Sequence, residues 1–240
     1  MIDCDVSPCF HFAPGLVSQD MVTIPLELAA VALISTQFEP PSISRWPFAH
    51  ETANGVRRPT RHPGSLAAAM GSAVMLPLVG SLLANQPQFK LWPQVSGLIH
   101  THLLTEMFTV SAKVGFGRKR PFYDTEARLH RERVDDRMSF FSGHSSHAFA
   151  FATYGSLMAQ HYVSDVTTRW IFTGMFYATS SWIASSRAVD GQHNWSDVAV
   201  GALVGSSVAW FVSQRTNAAS GDSISVTAGM GTLGVHYTLE

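Results

Sequence analysis

The sequence predicts an all-α protein, a bundle of six helices followed by a short β-hairpin-like C-terminal extension. Three observations carry that prediction. Six apolar segments of helical length follow one another along the 240 residues. The stretches between them concentrate proline, glycine and charge, which end helices. Only the last segment, Ser223 to Glu240, alternates with a period of two.

Taken in order, residues 1–20 read as an irregular start, with Pro8 and Pro14 interrupting any periodic pattern. Met21 to Gln37 is apolar apart from Glu27 and predicts the first helix. Glu39 to Pro63, rich in Pro, Arg, His and Asn, reads as a long connection. Gly64 to Ala84 is free of charge and predicts the second helix. Leu91 to Lys113 predicts the third, interrupted by His100, His102 and Glu106. The fourth runs from Ser142 to Ser164, the fifth from Thr168 to Ser186 and the sixth from Asp197 to Gln214. Thr216 to Asp222 is small and polar, and marks a linker between a helical domain, residues 1–215, and the extension, residues 216–240. A strand pair of this size is marginal alone, so it is expected to pack on something else and to carry no chemistry.

The composition excludes one class of partner. Net charge is −1, so no overall field recruits nucleic acid. Yet eight of the 16 Lys and Arg residues fall between Lys113 and Arg137, interspersed with Asp124, Glu126, Glu132, Asp135 and Asp136. Cys4 and Cys9 are the only cysteines; they support neither a disulfide framework nor a metal site, and whether they pair is open. The first twenty residues lack a basic region followed by an apolar core, so no signal peptide is expected. Gly64 to Ala84 is long enough to span a bilayer. The other segments are rich in Ala, Gly, Ser and Thr, which suit close helix packing in lipid or in water. A membrane bundle and a soluble bundle both fit.

Chemistry gathers in three clusters. The third holds Arg187, His193 and Asp197. His193 and Asp197 are four residues apart and share a face if helical. A carboxylate taking the proton of one imidazole nitrogen leaves the other nitrogen's lone pair free to attack. The second, Ser142-Gly143-His144, precedes an apolar run, so it is expected at a loop-to-helix junction. There backbone N–H groups favour anions and glycine lets the backbone approach a phosphate. Ser142 adds a hydroxyl, and His144 stands where a general acid is needed. The first cluster supplies Lys113 and Arg120, cations suited to phosphate oxygens. Arg118 and Lys119 read more simply as an exposed turn, and His147 as a structural or rim histidine.

The pattern Lys-x6-Arg-Pro from Lys113, Ser142-Gly143-His144, and Ser186-Arg187-x5-His193-x3-Asp197 resembles the type-2 phosphatidic acid phosphatase superfamily. That superfamily includes bacterial acid phosphatases and vanadium-dependent haloperoxidases. The resemblance spans residues 113–197 and implies the six-helix bundle of that superfamily. It also implies that His193 is the nucleophile forming a phosphohistidine, that Asp197 orients it, and that His144 protonates the leaving group. Lys113, Arg120, Ser142, Gly143 and Arg187 would hold the phosphate, with no metal. One position departs from the pattern: the second motif usually begins with proline and here has Phe141, which is expected to loosen the approach to the loop.

The expected activity is metal-independent hydrolysis of phosphate monoesters or diphosphates, of lipids or small phosphoesters. No cofactor is expected, and vanadate is expected to inhibit. Two alternatives use the same pocket: a haloperoxidase with vanadate as cofactor, and a non-catalytic phosphate- or lipid-headgroup-binding protein. The expected location is the membrane or the periplasmic side of the cell envelope. Phe108, Phe116, Phe122 and Tyr123 read as core packing ahead of a lipid groove, and Asp124 to Arg137 is expected to lie over the site mouth.

Overall fold

The computed structural model describes residues 14–41, 91–123, 134–219, 223–229 and 232–238. The expected helix at 64–84, both cysteines and residues 124–133 of the charged stretch lie outside them. Five α-helices are described: α1 (Pro14–Gln37), α2 (Leu91–Phe116), α3 (Gly143–Tyr162), α4 (Val166–Val189) and α5 (Trp195–Ala219). A 3-10 turn covers Val134–Arg137, and β1 (Ser223–Gly229) pairs antiparallel with β2 (Thr232–Thr238). The all-α class and the appended hairpin are as the sequence predicts.

The helix boundaries depart from expectation for local reasons. The first helix starts at Pro14 rather than Met21, because proline at a first helical position loses no hydrogen bond. Asp165 caps α4 by accepting from Thr168 N at 2.7 Å, which starts that helix two residues early. The last helix continues through 216–219, where a linker is expected. There the Thr216 hydroxyl donates to Val212 O at 2.9 Å and the residue is buried.

α3 and α5 form the centre of the bundle. Ala150, Tyr154, Met158 and Tyr162 of α3 pack on Val208, Ala209 and Val212 of α5. Their backbones meet at glycine: a Cβ on Gly201 would lie 2.7 Å from Ser142 O, and one on Gly205 would overlap the Ser146 carbonyl. This contact brings the start of α3 against the start of α5. The ends of α1 and α2 meet at the same end of the bundle, where Gly117 turns with φ 56° beneath Pro41. The sequence's three clusters therefore converge on one end.

Candidate active site

Residues 118–120 lie beside residues 136–139, with Arg120 N donating to Asp136 O at 2.8 Å and Ser139 N donating to Arg118 O at 3.0 Å. Ser139, fully buried, then links the first and third clusters. Its hydroxyl donates to Asp197 Oδ2 at 2.6 Å, and its carbonyl lies 2.8 Å from His193 Nδ1. Sequence reasoning missed Ser139, because nothing about an isolated serine before two phenylalanines marks it.

The His193–Asp197 relation differs from the expected one. His193 lies in the turn before α5, not on the helix, and Asp197 Oδ2 is 3.8 Å from Nδ1, outside hydrogen-bond reach. The partner of Nδ1 is the Ser139 carbonyl, which accepts only if Nδ1 carries the proton. That assignment leaves Nε2 with the free lone pair. Asp197 acts through charge and through the backbone: its Oδ2 accepts from Asn194 N at 3.0 Å, closing the first turn of α5 as a capping box does. The main-chain carbonyl of Asp197 also accepts from Ser142 N at 3.1 Å.

Arg118 is not an exposed turn. It is buried, and its Nη1 donates to Asp197 Oδ1 and, at 2.9 Å, to Ser196 Oγ. The signal was present in the cation cluster, but spacing alone does not separate Arg118 from Lys119. Lys119 is exposed, with Nζ 4.3 Å from the centroid of the Tyr123 ring.

The three predicted phosphate-holding cations are placed by different means. Arg120 is buried and clamped, donating from Nε to Asp135 O at 2.9 Å, from Nη2 to Asp135 Oδ1 at 2.9 Å and from Nη1 to Gln192 O at 3.3 Å. Arg187 ends α4, and its carbonyl accepts from Gln192 N and His193 N at 3.0 and 3.2 Å. The turn between them uses Gly191 at φ 67°. Arg187 Nε is buried without a hydrogen-bond partner among the described residues. Burial, and then Arg120, push the Arg187 pKa down. Lys113 projects toward Gly143, where an added Cβ would lie 3.7 Å from Nζ. Burial and Arg120 lower its pKa too.

Ser142 is the N-cap of α3, accepting from Ser145 N at 3.4 Å, so its own proton remains available to donate elsewhere. Ser145 and Ser146 are used otherwise, donating to Val198 O at 2.7 Å and to Gly143 O at 3.0 Å. His144 follows in the first turn. Burial lowers its pKa to about 3, helped by Arg187, His193 and Lys113. Burial likewise holds His193 at about 4, with Arg120 and Lys113 pushing against the pull of Asp197. The shared causes place all five groups within one electrostatic neighbourhood. A guanidinium donor without a partner among the described residues, two neutral imidazoles and a helix N-terminus make a site suited to an anion.

Phe141 does not leave the approach loose. It is buried and meets Phe140 edge-on at 5.8 Å, and Phe140 meets Phe116 edge-on at 5.0 Å. Phe122 and Tyr123 are buried as core, whereas Phe108 is half exposed. Among the described residues, no group of three His, Cys, Asp or Glu side chains is placed to hold a metal ion.

The sequence matches the family described as the PAP2 superfamily over residues 94–220, more than half the chain. It is 30% identical over 150 residues to a PA-phosphatase related-family protein of Dictyostelium discoideum, covering 58% of this chain and 54% of that protein. The chain thus spans about half the length of that relative. The crystal structure of Aquifex aeolicus LpxE superposes with a TM-score of 0.43 at 25% identity, covering 64% of this chain and 88% of that one. With the matched residues enclosing all three clusters and the converged anion site, the chain belongs to the PAP2 superfamily.

Proposed function

We propose that this protein is a lipid phosphate phosphatase that hydrolyses phosphate monoesters through a phosphohistidine at His193, without a metal. The single observation that carries the chemistry is the orientation of His193. Nδ1 is committed to the Ser139 carbonyl at 2.8 Å, which leaves Nε2 as the nucleophile. Nε2 attacks phosphorus, the bond from phosphorus to the ester oxygen breaks, and His144 gives its proton to the departing oxygen. His144 then takes a proton from water, whose oxygen attacks phosphorus. The P–N bond breaks, and inorganic phosphate leaves with His193 restored. Lys113, Arg120 and Arg187 offset the charge on the equatorial oxygens, which is where catalysis of phosphoryl transfer resides. A dianion beside His144 opposes the cations that depress its pKa, so the acid form of His144 belongs to the substrate complex.

The lipid part of the proposal rests on the outer surface. α4 carries no charged residue or histidine from 170 to 186, and α5 none from 198 to 214, about 25 Å of each helix. Trp170, Ile171, Met175 and Trp182 of α4 are exposed, as are Leu203, Trp210 and Phe211 of α5. The apolar length of about 25 Å approaches the bilayer's hydrocarbon thickness of about 30 Å, and helices Gln19–Gln37 and Trp195–Thr216 are long and apolar enough to cross. Residues 187–197, with the phosphate site, sit at one edge of this band. This supports a site at headgroup level, with Trp195 exposed beside it.

The test is phosphate release from a short-chain phosphatidic acid in detergent micelles with excess chelator, compared with a water-soluble ester. Full activity in chelator, preference for the lipid ester and loss in His193→Ala support the proposal. Strict dependence on a divalent ion overturns the mechanism, and preference for the soluble ester overturns the lipid assignment.

A further inference from the structure

Three polar residues are left over by the mechanism, and they lie on one line leading out of the phosphate site. Along α2, His102, Glu106, Thr109 and Lys113 follow one another at spacings of four, three and four, which puts them on one helix face. Along α3, Gly143, His147 and Phe151 form the facing stripe. The two stripes meet in register. Lys113 Nζ and Thr109 Cγ2 lie against the α-carbon of Gly143, with an added Cβ there 3.7 and 3.3 Å from them. Thr109 Oγ1 is 3.1 Å from Ser146 Oγ. One turn further, Glu106 Oε2 lies 2.7 Å from His147 Nε2. Beyond that, the His102 ring is 4.4 Å from the His147 ring and 6.1 Å from the Phe151 ring.

The seam changes character along its length. At the site end it presents an ammonium, and one to two turns away it presents a carboxylate backed by an imidazole. His147 donates from Nε2 to Glu106, which fixes the carboxylate and occupies one of its oxygens. The Glu106 side chain nonetheless keeps 35% of its surface exposed, so it is open to a further donor. His102, exposed, stands beside it. A phosphate ester held by Lys113 extends its leaving group away from the cations, and the accepting groups along this seam suit a leaving group that brings a hydrogen-bond donor.

We propose that Glu106, held by His147 and flanked by His102, forms a leaving-group subsite that binds a hydroxyl or ammonium donor on the alcohol portion of the phosphomonoester. This subsite rests on the phosphatase reading of the neighbouring site. It would favour esters with a free donor near the phosphate over otherwise similar esters whose donors are blocked, because a carboxylate placed for a donor is left unpaired by the blocked analogue.

The experiment measures kcat/KM of the full chain in detergent for two probes differing chiefly in one donor: lysophosphatidic acid, with its free glycerol hydroxyl, and the same lipid with that hydroxyl blocked as its methyl ether. The readout is the ratio of the two values, which a purely structural role of Glu106 would leave unchanged while both values fell. Glu106→Gln is expected to lower the ratio about tenfold, mainly through KM for the hydroxyl-bearing ester. Glu106→Asp, which keeps the charge, is expected to restore part of it. A ratio unchanged in both variants overturns the subsite. A wild-type chain that hydrolyses neither ester overturns the phosphatase reading itself, and the subsite with it.

Discussion

The two ends of the bundle both bury charge, and they balance it with opposite signs. At the end away from the site, the His100 ring lies between two carboxylates, with Nδ1 2.8 Å from Glu27 Oε2 and Nε2 3.0 Å from Asp20 Oδ1. Arg215 Nη2 adds a contact to Asp20 at 3.6 Å. Asp20 Oδ2 is left without a partner there, as is the Thr101 hydroxyl beside His100. At the site end Arg187 Nε is left without a partner, as is the neighbouring Asp190 Oδ2, and the Lys113 pKa is lowered by burial and then by Arg120. One end ties α1 to α2 with charges that answer one another. The other gathers Lys113, Arg120 and Arg187 together and leaves a guanidinium N–H over. Buried charge alone therefore does not mark a catalytic site; an unpartnered guanidinium donor among further cations does.

That contrast breaks if substitutions at the two ends act alike. His193→Ala is expected to lower kcat/KM for a phosphate monoester by about 10⁴-fold or more, since the proposed nucleophile is removed. Arg187→Lys should cost about 10²-fold, because an ammonium cannot reproduce the guanidinium's donor geometry. Both are measured by steady-state phosphate release. His100→Ala should instead destabilise the chain by about 3 kcal/mol, leaving the buried Asp20 and the partly buried Glu27 without their shared partner. Its folded fraction should keep kcat/KM within about threefold, with denaturant melts in detergent and activity measured on the same sample. A large loss of kcat/KM in a folded His100→Ala protein would erase the distinction between the ends.

The pH dependence sharpens the same comparison. His144 and His193 are held at about 3 and about 4 in the folded chain, against 6.5 ordinarily. Between those values and 6.5 the unfolded chain binds more protons, so stability falls as pH drops through that window. For His193 the full difference is about 3 kcal/mol by pH 4. Melts of the phosphate-free protein from pH 4 to 7 should show this decline, and His193→Gln should remove the share due to His193 and leave that of His144. kcat should show an alkaline limb from the acid form of His144 in the substrate complex, and kcat/KM an acid limb near pH 4, where His193 of the free protein takes up a proton.

Much of this was legible in the residues. The order and type of the helices follow from apolar runs and their breakers. The convergence of Lys113, Arg120, Ser142, His144, Arg187 and His193 was readable because each cluster abuts a helix end. What the sequence could not show was long-range pairing. Ser139 carries no local signature, yet it bonds both His193 and Asp197. The i,i+4 spacing of His193 and Asp197 suggests a direct helical pair, but capping of α5 by Asp197 draws the carboxylate to Asn194 N and Arg118. Arg118 and Lys119 are adjacent and look equivalent, and only the partner at Asp197 separates them. Phe141 is predicted to loosen its loop from backbone freedom alone, while the edge-on stack with Phe140 and Phe116 is a tertiary fact.

The most direct measurement is rapid acid-free quenching of the enzyme with a phosphate ester labelled in its phosphoryl group, followed by mapping of the covalent label. The account predicts an acid-labile, base-stable phosphoryl group on His193, formed in chelator and absent from His193→Gln. Label on another residue, or turnover with no covalent label at any quench time, would contradict it.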